Sequence, residues 1–226
     1  MLFARGACAV AAQAVVAIIL VMRASPTPWR DSEPWLPVYG TLIDAGCLLL
    51  LWRLTRREGI GVIDLVGFAR RRLLRDALLG VALIPVSLVF IFSGTYAAGW
   101  IVYRALAQPY FLGGLPLPAA LYGVIVFPFI WGLTEQMTYN GYLVARIQVL
   151  SGTRMAVAVV ALVWAGQHAF MPLTFDAKFM TFRLLASVPF SIFETVLYLR
   201  LRRLIPLALA HALMDGATVL IPLLTQ

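Results

Sequence analysis

Long apolar stretches separated by short polar segments make up most of the chain. Seven of them are long enough to cross the ~30 Å hydrocarbon core of a bilayer as helices, the structure that satisfies backbone hydrogen bonds within a single segment. They cover residues 6–22, 36–52, 77–92, 121–149, 155–171, 182–199 and 204–223. The pattern predicts an all-α fold, a polytopic transmembrane helical bundle with about seven spans.

The basic residues predict how these spans are oriented. Seven arginines lie from Arg53 to Arg75, and cytoplasmic loops of membrane proteins carry an excess of Lys and Arg. We therefore expect this segment, and with it the N-terminus, in the cytoplasm. Residues 96–107 are a weaker stretch that favours an interfacial helix over an eighth span, because Arg104 lies within it and aromatic residues flank it. An eighth span would also move the later arginine clusters outside, so the charge distribution favours seven.

Composition supports a membrane protein and excludes other classes. The 226 residues are 62% hydrophobic and 12% charged, far more apolar than a soluble domain of this length. The net charge of +8 is explained by arginines beside the spans, so membrane lipid is an expected partner and nucleic acid is not. No linker or repeat is visible, which predicts one integral membrane domain over residues 1–226. Residues 62–68, followed by arginines, are interpreted as an amphipathic helix on the inner leaflet.

Few ionisable side chains lie within the spans, and each is a candidate functional residue. At 1.5 Å per residue, four of them lie roughly 10 to 21 Å from the arginine-rich helix ends, so that they can face one cavity: Glu135, His168, His211 and Asp215. The two residues of each pair at spacing i,i+4, His211 with Asp215 and Gln136 with Asn140, share a helix face. The sequence thus predicts one polar site inside the bundle.

These residue types support two kinds of chemistry. A carboxylate with a histidine can activate water, and a second histidine with an acid one turn away can stabilise an oxyanion. Alternatively, His168, His211 and Glu135 are a ligand set for zinc, and spacing does not decide between the two. Of the other acids in the spans, Asp44 is interpreted as a helix-contact residue. Glu194 is a second-rank candidate that pairs with an arginine or approaches the site.

Three short motifs follow one another in the C-terminal half of the chain. Glu135 begins a segment similar to Glu-Glu-x-x-x-Arg with a following Gly-x-Leu. In the second motif, the aromatic residue Trp164 lies one helical turn before His168. A basic turn then leads to His211 and Asp215, in the pattern His-x-x-x-Asn/Asp. Together, over residues 121–223, these motifs resemble the CAAX-protease and bacteriocin-processing (CPBP, abortive-infection-type) family of intramembrane proteases.

The resemblance implies a function and a set of roles. It implies a catalytic core at 121–223 that opens to the cytoplasm and hydrolyses a membrane-associated peptide or protein, in a bacterial inner membrane. Glu135 and His168 would activate water, and His211 with Asp215 would stabilise the oxyanion or complete the site. Family members have been described both as metalloproteases and as metal-free enzymes, so the cofactor stays open between zinc and none.

Two positions depart from the family motif. Its second glutamate is Gln136 here, and its arginine is Asn140. One helical turn apart, the two amides can keep a hydrogen bond in place of an ion pair, which makes them supporting residues. The departure also motivates an alternative, a non-catalytic binding or bacteriocin-immunity-type membrane protein. A transporter with a proton relay through Asp44, Glu194 and the histidines has less support, because no inverted repeat accompanies it.

Overall fold

The computed structural model describes residues 1–107 and 113–225, and helices dominate both parts. The α-helices are α1 (Ala4–Met22), α2 (Pro28–Ser32), α3 (Leu36–Arg57), α4 (Leu73–Tyr103), α5 (Leu117–Ile125), α6 (Phe127–Gln136), α7 (Ala145–Gln167), α8 (Ala177–Leu201) and α9 (Ile205–Thr225). A π-helix, Met137–Val144, joins α6 to α7, and short 3₁₀ helices lie at Glu33–Trp35, Val62–Val66, Arg70–Arg72 and His168–Phe170. The described residues contain no strand, which confirms the all-α prediction.

Six helical stretches of the described chain are long and apolar enough to cross a membrane. One of them, Phe127–Phe170, is interrupted at Gly152, whose φ of 81° and ψ of 170° are not helical. On either side of this turn, Tyr139 stacks on Trp164 with ring centroids 5.2 Å apart. The stretch is therefore a helical hairpin with two antiparallel legs. Counting both legs gives the seven passes that the sequence predicts.

Residues 96–103 are the end of a long helix. Helix α4 has 31 residues and runs without a break to Tyr103, after which Arg104 adopts the left-handed conformation with φ 57°. At 1.5 Å per residue it is about 46 Å long, more than the hydrocarbon core requires. The expectation of a separate interfacial helix or an eighth span at 96–107 is wrong, because the third span continues through most of this stretch.

The arginine-rich segments meet at one end of the bundle. Glu58, directly after α3, accepts hydrogen bonds from the Arg146 guanidinium and from the Tyr142 hydroxyl. These two bonds, that of Arg146 first, hold the pKa of Glu58 below its ordinary value. Arg203, between α8 and α9, pairs with Asp76 at the start of α4. The ends of four passes are thus joined on the side that carries most of the positive charge.

The segment after α3 is shorter than the sequence predicts. It forms a 3₁₀ helix, Val62–Val66, which ends at Gly67 with φ 62°. Val62 and Leu65 pack against the apolar cluster beneath them, while Ile63 is 70% exposed. The prediction of an amphipathic α-helix over 62–68 is wrong, because the left-handed turn at Gly67 stops the segment after little more than one turn.

Helices α4 and α8 approach each other at a glycine. A Cβ atom on Gly94 would lie 2.2 Å from the carbonyl oxygen of Ala186 and 3.1 Å from Cδ of Pro189. One turn away, Phe90 stacks on Phe193 with ring centroids 4.3 Å apart. Only a residue without a side chain lets the two backbones come this close, and these two helices form one wall of the cavity described below.

We predict that Gly94→Ala destabilises the protein. The added methyl group meets a backbone oxygen that cannot rotate away, and overpacking of this kind costs about 1–3 kcal/mol. The measurement is thermal unfolding in detergent, in which we expect a lower Tm. The control is Gly166→Ala in α7, where no atom lies within 4 Å of the added Cβ, so its Tm should be unchanged or higher because alanine favours the helix. Equal Tm values for the two variants would contradict the prediction.

Candidate active site

Helix α6 lies directly against α9 at a second glycine. A Cβ on Gly132 would lie 3.0 Å from the carbonyl oxygen of Ala208 and 3.1 Å from the main-chain nitrogen of Ala212. This contact brings Glu135, near the end of α6, beside His211 on α9. Oε2 of Glu135 is 3.6 Å from Nε2 of His211. The first and last motifs therefore meet, although 76 positions separate their key residues.

Glu135 is completely buried and is held by three N–H donors. Its Oε1 accepts hydrogen bonds from Nε2 of Gln167 (2.6 Å) and from an η-nitrogen of Arg5 (3.3 Å). Its Oε2 accepts one from Nε1 of Trp164 (2.9 Å). A carboxylate has about four lone-pair sites, so the remaining capacity is at Oε2, the oxygen beside His211. The side chain is fixed in position, as a catalytic group needs to be.

His211 lies between two carboxylates. Its Nε2 is 3.6 Å from Glu135 and 3.4 Å from Oδ2 of Asp215, one turn along α9. The imidazole packs against aromatic rings on both of the other sides, Trp164 at 5.9 Å and Phe190, edge on, at 5.5 Å. Its Nδ1 has no hydrogen-bond partner among the described residues. The ring is thus held by packing and charge, with one nitrogen free of protein partners.

His168 is the first residue after α7, and its tautomer follows from its hydrogen bond. Nδ1 lies 3.1 Å from the carbonyl oxygen of Trp164. A carbonyl can only accept, so Nδ1 carries the proton and a neutral ring has its lone pair on Nε2. This is the form in which a histidine acts as a base. The Trp164 indole that stacks on Tyr139 and donates to Glu135 also places the backbone that orients His168.

A cavity of about 270 Å³ adjoins these side chains. Three of the four predicted catalytic residues line it together with apolar, aromatic and basic side chains: His168, His211, Asp215, Trp131, Phe190 and Arg183. Glu135 is not among the lining residues and lies one layer behind, against His211. The structure thus brings all four predicted residues together, three of them at the cavity wall.

The two departures from the family motif form a chain of hydrogen bonds. Nδ2 of Asn140 donates to Oε1 of Gln136 (2.7 Å), and Nε2 of Gln136 donates to Oε2 of Glu194 on α8 (2.8 Å). The hydrogen bond that the sequence predicts between the two amides is present. Asn140 lies in the π-helix, a form that is frequent at functional sites. Glu194 is paired with the amide of Gln136 and not with an arginine. Of the two interpretations of Glu194, pairing with an arginine is therefore wrong.

A buried arginine is the site residue that the sequence did not predict. Arg5, at the start of α1, has 0% exposure, and its guanidinium is 2.7 Å from Oδ1 of Asp44 and 3.3 Å from Oε1 of Glu135. It also lies over the Trp131 ring, 4.4 Å from the centroid. This ion pair joins α1 to α3, so Asp44 is the helix-contact residue that the sequence predicts. The signal in the sequence was an acid and a base in two neighbouring spans, each without a partner in its own helix.

The side chains around Glu135 do not form a metal site. Among the described residues, no group of three or more His, Cys, Asp and Glu side chains could hold a metal ion. Both oxygens of Glu135 accept N–H groups, and a guanidinium cation lies beside one of them. The zinc set His168, His211 and Glu135, one of the two sequence alternatives, therefore does not fit the arrangement of donors.

The loop after His168 is fastened to α1. Gln13, which is fully buried, accepts a hydrogen bond from the main-chain nitrogen of Leu173 (2.8 Å) and donates to its carbonyl oxygen (3.1 Å). The indole of Trp29 donates to the same carbonyl (2.7 Å). Both backbone groups of Leu173 are thus satisfied by side chains from the N-terminal part of the chain, which fixes the point where the polypeptide leaves the site.

Comparison with known families agrees with the resemblance. Residues 116–217 match the family model described as type II CAAX prenyl endopeptidase Rce1-like. This range contains all four predicted catalytic residues, whereas Arg5 and Asp44 lie outside it. No curated protein and no solved structure matches the chain. The resemblance carried by the three motifs is confirmed over the matched residues, and the family is one of proteases.

We predict that Gln13→Leu loosens the loop and lowers the stability of the protein. The substitution leaves the main-chain N–H of Leu173 buried without an acceptor, which costs about 1–3 kcal/mol. The measurement is the Tm in detergent. Gln148→Leu serves as the control, because Gln148 makes exposed hydrogen bonds to Thr153 and Arg202 and should change stability by no more than ~0.5 kcal/mol. A Tm for Gln13→Leu equal to that of the control would show that the loop does not depend on this contact.

Proposed function

We propose that this chain, whose residues 116–217 match the Rce1-like family of CAAX proteases, is an intramembrane endopeptidase. Its substrate is a membrane-associated peptide or protein, hydrolysed in the cavity beside His168 and His211. One observation carries the proposal: side chains from three separate motifs converge at one cavity, which His168, His211 and Asp215 line while the Glu135 carboxylate lies behind His211. A structural role alone does not require ionisable groups at this depth, since burying them is costly.

Glu135 and His168 activate the water molecule. Nε2 of His168 takes a proton from water while the water oxygen forms a bond to the carbonyl carbon of the peptide. The Glu135 carboxylate, one layer behind the cavity wall, stabilises the positive charge that His168 gains. The hydrogen bond of His168 to the Trp164 carbonyl supports this role, because it leaves the basic nitrogen toward the reactants.

His211 and Asp215 stabilise the tetrahedral intermediate. The His211 ring lines the cavity, and the two carboxylates at its Nε2 support positive charge on the ring, which stabilises the oxyanion. When the C–N bond breaks, the proton held by His168 passes to the leaving amine, and the enzyme returns to its starting state. Atoms and charge balance without a cofactor.

The proposed setting follows from the charges. We place the arginine-rich end of the bundle in the cytoplasm of a bacterial cell, with the protein in the inner membrane and its N-terminus on the cytoplasmic side. In this orientation the site lies within the bilayer.

A second candidate function is non-catalytic binding of a peptide or partner helix, as in a bacteriocin-immunity-type protein. The burial of Glu135 favours it, since this carboxylate does not line the cavity. The two functions differ in what Glu135→Gln does. A binding protein keeps its phenotype with the neutral amide of the same shape, and a protease loses it.

We predict that Glu135→Gln and His168→Ala abolish cleavage while the protein still folds. The assay uses purified protein in detergent with a pool of membrane-anchored peptides, and thermal unfolding confirms the fold of each variant. Because general acid–base groups contribute 10²–10⁴-fold, we expect kcat to fall at least ~100-fold in each. The control is Glu58→Gln, an acid at the end of the bundle that does not line the cavity, for which kcat should be unchanged.

The same assay decides between mechanisms. Because the donors around Glu135 do not fit a metal, cleavage should continue in the presence of EDTA. Retained cleavage in both Glu135→Gln and His168→Ala rules out the proposed roles, and a folded wild-type protein that cleaves no peptide supports the binding function.

A further inference from the structure

The region that matches the family lacks the arginine of its first motif. Asn140 occupies that position, and Asn140 and Gln136 bond to each other and to Glu194, not to Glu135. The glutamate that the proposed mechanism needs nevertheless has a cation beside it. That cation is Arg5, which belongs to α1 and lies more than one hundred positions before the matched residues.

Each N–H arm of Arg5 has its own acceptor. One η-nitrogen donates to Asp44 (2.7 Å), the other donates to Glu135 (3.3 Å), and Nε donates to Oε1 of Gln167 (3.0 Å). Gln167 in turn donates to Oε1 of Glu135 (2.6 Å) and accepts the hydroxyl of Tyr139 (2.8 Å). Arg5 therefore holds Glu135 twice, once directly and once through the amide of Gln167. This planar, three-acceptor geometry is one that arginine provides and lysine does not.

Both contacts fall on the same oxygen of Glu135. Arg5 and Gln167 bond Oε1, which leaves Oε2 for Trp164 and for the side that faces His211. Arg5 is fully buried and does not line the cavity, so it touches neither solvent nor a bound peptide. Its contacts act on the orientation and the charge of Glu135, and Asp44 keeps the guanidinium in place from the opposite side.

We infer that Arg5 is the positioning residue of the active-site glutamate: with Asp44 as its anchor, it holds the Glu135 carboxylate charged and directed toward His211. The inference rests on the proposed endopeptidase activity. It assigns a role in the site to the first helix, which lies outside the matched family region. Because Arg5 does not touch the substrate, its loss should lower kcat and leave KM nearly unchanged.

The test compares variants that keep the charge of the buried network balanced. Arg5→Gln alone leaves two buried carboxylates without a cation and endangers the fold, so the informative variant is Arg5→Gln/Asp44→Asn, with Asp44→Asn as its reference. We expect Asp44→Asn to lose at most ~10-fold in kcat, because Arg5 remains on Glu135. The double variant should lose at least a further ~100-fold with KM within ~3-fold. The kcat of Arg5→Lys should lie between those of the wild type and the double variant, since lysine keeps the positive charge but not the planar guanidinium with its several N–H donors.

A matched control removes another ion pair from the same protein. Arg146→Gln/Glu58→Gln abolishes the arginine–carboxylate contact at the arginine-rich end, and its kcat and KM should equal those of the wild type. A double variant Arg5→Gln/Asp44→Asn that is folded, as judged by thermal unfolding, and keeps kcat within ~3-fold of Asp44→Asn overturns the inference.

An infrared measurement makes the test independent of activity. A buried carboxylate without a cation takes up a proton. We therefore expect the carbonyl stretch of a neutral carboxyl group in Arg5→Gln/Asp44→Asn and not in Asp44→Asn. The band is assigned to Glu135 if it disappears when Glu135→Gln is added to the double variant. If the wild-type protein cleaves no peptide, the endopeptidase proposal fails, and this band still decides whether Arg5 sets the charge of Glu135. Absence of the band in the folded double variant overturns the inference about Arg5.

Discussion

The buried carboxylate of Glu135 is the point on which the architecture depends. In an apolar bundle, one charged group without partners would be prohibitive. The chain meets this constraint with donors from two other helices, Arg5 on α1 and Trp164 and Gln167 on α7, around a residue of α6. Those donors fix how the three helices lie relative to one another. The glycine contact between α6 and α9 then sets His211 against the one oxygen that still has capacity.

The sequence predicted the parts of this structure that depend on local pattern. Seven apolar stretches become seven passes, and motif spacing identifies residues that do meet at one cavity. The local predictions failed at helix ends. Helix α4 continues through residues 96–103, where a separate element was expected, and the 3₁₀ helix Val62–Val66 ends at Gly67, where an amphipathic helix was expected to continue. Arg5 was missed for a different reason. A basic residue at the start of a first span has the same signature whether it flanks the membrane or lies in the core, and only the packing of α1 against α3 and α6 distinguishes the two.

The altered first motif is accommodated by a rearrangement of partners. The family pattern has a glutamate and an arginine on one helix. This chain has two amides there, Asn140 bonded to Gln136 and Gln136 bonded to Glu194 of α8, and the arginine near the site is Arg5 of α1. The same kinds of group, an acid and a guanidinium, are present near the site in both arrangements, but here they tie α1, α3 and α8 to α6. In this chain, these contacts lie between helices.

The position of Arg5 on α1 has a consequence for how the protein is made. Helix α1 leaves the ribosome before the helices that carry the partners of Arg5, which are Asp44, on the second pass, and Glu135, on the fourth. Until those passes have entered the membrane, the lipid offers the Arg5 guanidinium no hydrogen-bond acceptors of the kind it has in the folded protein. Glu135 enters the membrane after its cation, because α6 follows α1 in the chain. Synthesis runs from the N-terminus toward the C-terminus, so Arg5 reaches its final contacts only after both Asp44 and Glu135 have entered the membrane.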